Sequence, residues 1–395
     1  MRIGKICYAV VLTMAVLFAL LSWFTPLREV VQMPNSVQLS QGSINDYLNT
    51  QNIGLISSKY NESQKSIDYY LCNTIKIKSV EANIVPDKTV LLGGDTIGFE
   101  YASDGVLVLG KNKIFTKDSF VDNIINNELS EGDIITSVDG KDVNNAYEIS
   151  QILNTRANSQ DFVNIHAIRK GKEFDTKLKP AYDLLTKKYK LGLWVKNTMN
   201  GIGTLTYIDP TTKRFGSLGH AILDSNTSVA MPVLNGNLYD CTILGVRRAM
   251  RGSAGEFRGI LKTNQSLGSV DINTQAGIYG NITSDTLLQD RIQVELGGKH
   301  TVIPGKALVY TSIDGKSVRA YDIEIIKTSH QSTNNRDMVI KVTDQRLIQA
   351  TGGIVQGMSG SPIVQNGKLV GAVTHVFIND PTKGFGIYID NMVKN

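Results

Sequence analysis

Cysteine is scarce. The chain has three in 395 residues, and with Cys7 inside an apolar N-terminal stretch only Cys72 and Cys241 remain to pair. Neither C-x-x-C nor H-E-x-x-H occurs, which excludes a thioredoxin-like redox pair and leaves no zinc-ligand spacing. No metal or organic cofactor is expected, and two distant free thiols are. Nine prolines against 36 glycines exclude collagen-like and proline-rich sequence and favour turns between strands. Blocks of one charge sign are missing too: 41 Lys and Arg against 36 Asp and Glu leave a formal net charge of +5, scattered along the chain. A nucleic-acid binder gathers its basic residues on one element with aromatics between them, so nucleic acid is excluded as a partner. With 42% hydrophobic and 19% charged residues the chain is globular and long enough for two or three domains.

One long apolar run exists. Arg2 and Lys5 precede Ile6–Phe24, which carries no charge. At 1.5 Å per residue it reaches about 28 Å, close to the hydrocarbon thickness of a bilayer. Trp23 stands where an interfacial aromatic belongs. Ser22-Trp23-Phe24-Thr25-Pro26 is a poor cleavage site, so residues 1–26 read as an uncleaved signal anchor, a transmembrane helix, the alternative being a removed signal peptide. Either way the remainder is expected across the membrane.

Residues 27–88 are rich in Asn, Ser and Gln and read as a juxtamembrane stalk with one or two strands. In residues 89–182 short apolar runs alternate with glycines. Val106–Leu109 and Asp133–Val138 read as strands, Asp139-Gly140 as a turn, and Asn145–Leu153 as a short amphipathic helix begun by Asn144 or Asn145. Lys170-Gly171-Lys172 makes a hairpin. This stretch resembles a PDZ domain. Thr96-Ile97-Gly98-Phe99 matches the carboxylate-binding loop, and Leu129-Ser130-Glu131-Gly132-Asp133-Ile134-Ile135 followed by Val138-Asp139-Gly140 matches the signature of PDZ domains in bacterial proteases. The resemblance implies that Thr96, Ile97, Gly98 and Phe99 bind a peptide by strand addition, with the helix as the opposite wall. Residues 183–395 are strands throughout, spaced by Gly, Asn and Asp-Pro turns, as in a pair of β-barrels.

The segment that carries chemistry is Gly352–Val364, followed by the apolar strand Lys368–Val376. Gly357-Met358-Ser359-Gly360-Ser361-Pro362 is the pattern on which trypsin-like proteases present a nucleophile. The glycines let the backbone turn sharply, so that Ser359 Oγ is exposed and the N–H groups of Gly357 and Ser359 converge where an oxyanion would form. A serine hydroxyl needs a base. Of five histidines, His166, His300 and His330 read as ordinary, and His375 comes after the serine. His220, in Gly219-His220-Ala221, precedes it in the trypsin-like order. Asp224, Asp271 and Asp344 are all candidates for the residue that orients His220, and spacing does not choose between them.

Gly219-His220, Ile202-Gly203-Thr204, Lys341-Val342-Thr343-Asp344 and Gly352–Ser361 together resemble the stage IV sporulation protein B family, membrane-anchored serine peptidases of endospore-forming Firmicutes. The resemblance implies a mainly β protein, a PDZ domain followed by a trypsin-like double β-barrel peptidase domain. It implies secretion across the forespore membrane into the intermembrane space, where membrane-embedded sporulation signalling proteins would be cut to activate a late mother-cell sigma factor. Self-cleavage and PDZ contact with its own chain are further expectations. The resemblance carries the nucleophile to Ser359, the base to His220 and an essential aspartate to Asp344. Alignment of the turn and the following strand with trypsin-like enzymes makes Gly353, Thr374, His375 and Val376 the walls of a pocket for small uncharged residues. Met358 replaces the acid that pairs with a newly cut N-terminus in trypsin.

Overall fold

The computed structural model describes residues 30–31, 35–85, 87–116, 120–121, 128–156, 161–329, 332 and 334–394. The apolar run Ile6–Phe24 and His330 lie outside them. Among the described residues no helix is long and apolar enough to cross a membrane. Cys72 and Cys241 are free thiols. The chain divides into two units, residues 1–89 with 295–303, and residues 90–294 with 304–395.

In the first unit the expected stalk is a folded α/β layer. Strands β1 (Ser36–Ser40), β2 (Ile56–Asn61), β3 (Ser66–Leu71) and β4 (Ile75–Val85) form one sheet in the order β1-β4-β3-β2, and helix α1 (Ile44–Gln51) adds Tyr47 to its core. Val37, Leu39, Ile67, Tyr69 and Val80 are buried there, and the Tyr47 and Tyr69 hydroxyls share a hydrogen bond of 2.9 Å. Asn/Ser-rich composition hid this core because its apolar residues alternate with polar ones at period two, so no continuous apolar run marks it.

In the second unit a single long strand, β5 (Thr96–Lys111), serves two bodies. Its second half opens a PDZ-like body with β6 (Ile134–Val138), helix α2 (Ala146–Thr155), β7 (Val163–Arg169) and β8 (Lys172–Leu178). Val106, Val108, Ile135, Ile149, Leu153 and Ile165 pack its core. Helix α2 starts as expected: Asn145 caps it by accepting the Glu148 N–H at 2.9 Å, and the Glu148 carboxylate accepts the Asn144 N–H at 2.7 Å.

The first half of β5 belongs to a barrel. It lies between β9 (Leu193–Ile208) and β11 (Val233–Arg247), antiparallel to both. With β10 (Arg214–Ser217), β12 (Gly255–Ser269) and β13 (Gly277–Asn281) the order runs β10-β9-β5-β11-β12-β13 and returns to β10; β12 meets the residue that follows β13 at the Gly268–Ile282 bridge. Ile97, Phe99, Leu205, Phe215, Leu218 and Ile278 fill it. A second barrel closes in the order β14 (Gly305–Thr311), β15 (Arg319–Thr328), β16 (Met338–Val342), β19 (Lys383–Tyr388), β18 (Lys368–Val376), β17 (Pro362–Gln365), back to β14. The PDZ-like body thus lies ahead of residue 183 as expected, but it is inserted between the first and second strands of the first barrel, whose first strand already begins at Thr96.

This placement corrects the reading of Thr96, Ile97, Gly98 and Phe99. They form no loop, and neither edge of the strand is free: Gly98 pairs with Ile202 on one side and Tyr239 on the other. Ile97 and Phe99 are buried, and a Cβ on Gly98 would lie 2.2 Å from Leu261 Cγ. An added peptide strand has no place there. An apolar groove beside α2 does exist, a cavity of about 210 Å³ bordered by Ile114, Ile149, Leu153, Leu191, Gly192 and Val195.

Candidate active site

The Ser359 turn is built at the seam of the two barrels. Gly357 and Gly360 have φ of +102° and +94°, conformations that a residue with a side chain rarely adopts. A Cβ on Gly360 would also lie 2.1 Å from the Thr204 carbonyl oxygen. From the first barrel, the Thr204 N–H donates to the Ser359 carbonyl at 2.9 Å and the Thr204 hydroxyl to the Gly357 carbonyl at 2.7 Å. The Thr206 hydroxyl donates to the Gly360 carbonyl at 2.7 Å. From the second barrel, the Val373 carbonyl accepts the Gly360 N–H at 2.8 Å. The sequence reading missed Thr204 and Thr206. Their signal was two threonines spaced by two on a strand, placing two hydroxyls on one face that must be buried with partners.

Ser359 is partly exposed, and its Oγ donates to the Thr374 carbonyl at 2.8 Å. His220 follows β10 through Leu218 and Gly219, both at φ +71°. Its Nδ1 lies 2.9 Å from the Ala221 carbonyl oxygen. A carbonyl only accepts, so Nδ1 carries the proton and Nε2 keeps its lone pair, the tautomer a general base requires. Burial holds the His220 pKa below its ordinary 6.5. The His220 and His375 rings face each other at 5.0 Å and 38°. A Cβ on Gly219 would touch Thr374 Cγ2 at 2.9 Å, so glycine is what lets the His220 loop approach the strand that accepts Ser359 Oγ. The structure therefore gathers Ser359, His220, Thr374 and His375. The hydrogen bonds of Ser359 and His220 run to Thr374 and Ala221 rather than to each other.

Asp344 is not brought to His220. It caps helix α3 (Gln345–Thr351), accepting the Arg346 N–H at 2.8 Å, and pairs with the Arg346 guanidinium at 2.6 Å. The same carboxylate accepts the Asp322 N–H at 3.3 Å. The Arg346 hydrogen bond pulls its pKa from 3.8 to about 2. The Asp-x-Arg spacing makes this a local cap with its own cation, and the carboxylate is committed to Arg346 rather than to His220. Asp224 is buried, but its oxygens go to Lys196 at 3.0 Å and to the Asn226 and Thr227 N–H groups. Asp271 is exposed and accepts from Asn281 at 2.9 Å. None of the three candidates hydrogen-bonds His220.

The pocket walls divide. Thr374 is buried, His375 is exposed at its edge, and Val376 is half-buried and pairs with Gly384. Gly353 lines no open floor: a Cβ there would lie 2.2 Å from the Pro381 carbonyl oxygen, so the backbone of Pro381 occupies that space. His166 sits on the PDZ-like hairpin bonded to Asp175, and His300 packs edge-on against Tyr47 in the first unit. Among the described residues no group of three or more His, Cys, Asp or Glu side chains could hold a metal ion.

No curated protein matches the chain. Among solved structures, the PDZ domain of the SdrC-like protein (Lmo2051) from Listeria monocytogenes is 22% identical over 23% of this chain and 87% of that one, with a TM-score of 0.18. The Rv3671c protease from M. tuberculosis in its active form is 15% identical over 50% of this chain and 74% of that one, with a TM-score of 0.29. Its inactive form is 16% identical over 49% and 81%, with a TM-score of 0.26. The family model of SpoIVB peptidase S55 matches residues 187–393, just over half of the chain, and the chain belongs to that family of serine peptidases.

Proposed function

We propose that the protein is a sporulation signalling endopeptidase that cuts membrane-associated partner proteins after export across the forespore membrane, with Ser359 as nucleophile and His220 as base. The observation that carries the site assignment is the double clamp of Thr204 on the Ser359 turn, which fixes that hydroxyl at the barrel seam on Thr374, the residue that the His220 loop approaches through Gly219. In the reaction Ser359 Oγ leaves the Thr374 carbonyl, gives its proton to His220 Nε2 and attacks the scissile carbonyl. The Gly357 and Ser359 N–H groups receive the oxyanion. The imidazolium then protonates the leaving amine, and water repeats the sequence on the acyl-enzyme. The Ala221 carbonyl, a neutral acceptor, stabilises the imidazolium less than a carboxylate would, which fits a peptidase held slow until a partner engages.

The groove between α2 and Leu191–Val195 takes over the peptide-binding role first assigned to Thr96–Phe99. A C-terminal or internal segment, from a partner or from this chain, would add as a strand there. The N-terminal apolar run would hold the chain at the membrane where its substrates reside.

The test compares membrane-protein fragments from sporulating cells carrying wild-type, Ser359→Ala or His220→Ala protein. Loss of the same fragments in both variants, with the proteins folded, supports the reading. Unchanged fragments would leave a non-catalytic PDZ scaffold as the better account.

A further inference from the structure

The hairpin joining β11 to β12 packs beside the nucleophile turn. The Ala249 N–H donates to the Thr351 carbonyl at 2.8 Å, Gly255 pairs in parallel with Val355, and a Cβ on Gly357 would meet the Phe257 ring at 2.6 Å. Between Leu244 and Ile260 the chain carries Arg247, Arg248, Arg251 and Arg258 against one acid, Glu256. Glu256 is shared by Arg247 at 3.2 Å and Arg258 at 3.4 Å, so the hairpin keeps an excess of positive charge.

Large apolar side chains stand in solvent among these arginines. Met250 at the tip is 66% exposed, Leu244 67% and Ile260 59%. Ile378, whose carbonyl accepts the Gly252 N–H at 2.8 Å, is 57% exposed. The register sorts the faces: Arg247 opposes Glu256 and Thr242 opposes Ile260 on the outer face, while Cys241 and Phe257 are buried on the inner one. Guanidinium groups and unburied apolar groups thus share one surface.

We propose that this hairpin docks on the surface of an anionic phospholipid bilayer, the arginines binding lipid phosphates and the apolar side chains entering the headgroup boundary. Arginine suits the phosphate geometry, and interfacial segments combine a basic face with shallow apolar insertion. An acidic peptide would answer the charge but leave Met250 and Ile378 in water, so charge and apolarity together favour lipid. Because the hairpin is hydrogen-bonded to the segment that leads into Ser359, docking would hold the nucleophile turn at a fixed height above the bilayer. The proposal does not rest on the peptidase reading, since the Ser359→Ala protein should dock equally.

The test uses the full chain carrying Met250→Cys with Cys7→Ser and Cys72→Ser, labelled with an environment-sensitive dye; Cys241 is fully buried and stays unlabelled. The protein is reconstituted into phosphatidylcholine vesicles with or without about three-tenths phosphatidylglycerol. Both arms carry the same N-terminal run, so a difference between them reports the hairpin. The expected result is a blue shift and quenching by brominated lipid in anionic vesicles alone, lost at about 0.5 M salt. Adding Arg248→Gln and Arg251→Gln should weaken the response at least about tenfold while peptide hydrolysis in detergent is retained. A dye that stays in water in both vesicles overturns the proposal. So does a response to soluble polyglutamate but not to vesicles, which would make the hairpin a protein-recognition surface.

Discussion

Thr204 donates twice to the turn that carries Ser359, from its N–H to the Ser359 carbonyl and from its hydroxyl to the Gly357 carbonyl. A residue of the first barrel therefore sets the backbone from which the second barrel presents Ser359 and the N–H groups of Gly357 and Ser359.

Thr204→Val keeps the shape of this fully buried residue and removes one donor. The Gly357 carbonyl would lose its hydroxyl donor, at about 1–3 kcal/mol of stability. The turn should also loosen, so kcat is expected to fall more than KM rises. Denaturant unfolding and steady-state kinetics read the two effects; a variant equal to wild type in both removes Thr204 from the argument.

Asp344 offers a sharper contrast. Asp344→Ala loses the helix cap and should cost about 1–2 kcal/mol. Asp344→Asn keeps a cap acceptor, so it should retain most activity once correctly folded. A fall of about 10⁴ in the Asn variant would instead mark an orienting triad member. Because the folded pKa is depressed from 3.8 to about 2, the contribution of the ionised group to stability is present above pH 3.8 and is lost as pH falls toward 2.

The pH profile follows from the two imidazoles. Burial holds His220 below 6.5, and partial desolvation of the surface residue His375, with the neighbouring His220 and Arg336, holds it down at about 4. Both histidines are then neutral at pH 7, and the acid limb of kcat/KM should lie below 6.5. Depressed folded pKa values also mean that the stability they contribute is present above 6.5 and lost as pH falls below it. A limb at or above 6.5 would contradict the buried, uncharged His220.

Gly98→Leu separates the strand from the groove. Crowding against Leu261 should destabilise the first barrel by several kcal/mol and depress activity through unfolding. Ser150→Trp, on the helix side of the groove, should leave the barrel intact and weaken peptide binding. Normal stability in Gly98→Leu with loss of peptide binding would restore the loop reading.

Local chemistry was legible from the amino-acid order. The Gly357–Ser361 turn needs two left-handed glycines, the Asn145 cap needs its Glu148, and period-two runs become strands, because each depends on residues a few positions apart. Tertiary structure decided the rest. Ile97-Gly98-Phe99 reads equally well as a loop or a strand, and only the pairing of β5 with β9 and β11, each more than a hundred residues away, makes it barrel wall. The same distant pairing threads the PDZ-like body into the first barrel. Asp344 and Gly353 match a protease pattern in order. The first is claimed by Arg346 two residues on, and the second by Pro381 packed against its Cα. The Asp344 pairing is local and its Asp-x-Arg spacing was there to be read, whereas what fills the space beside Gly353 is settled by closure of the barrels, which is nonlocal.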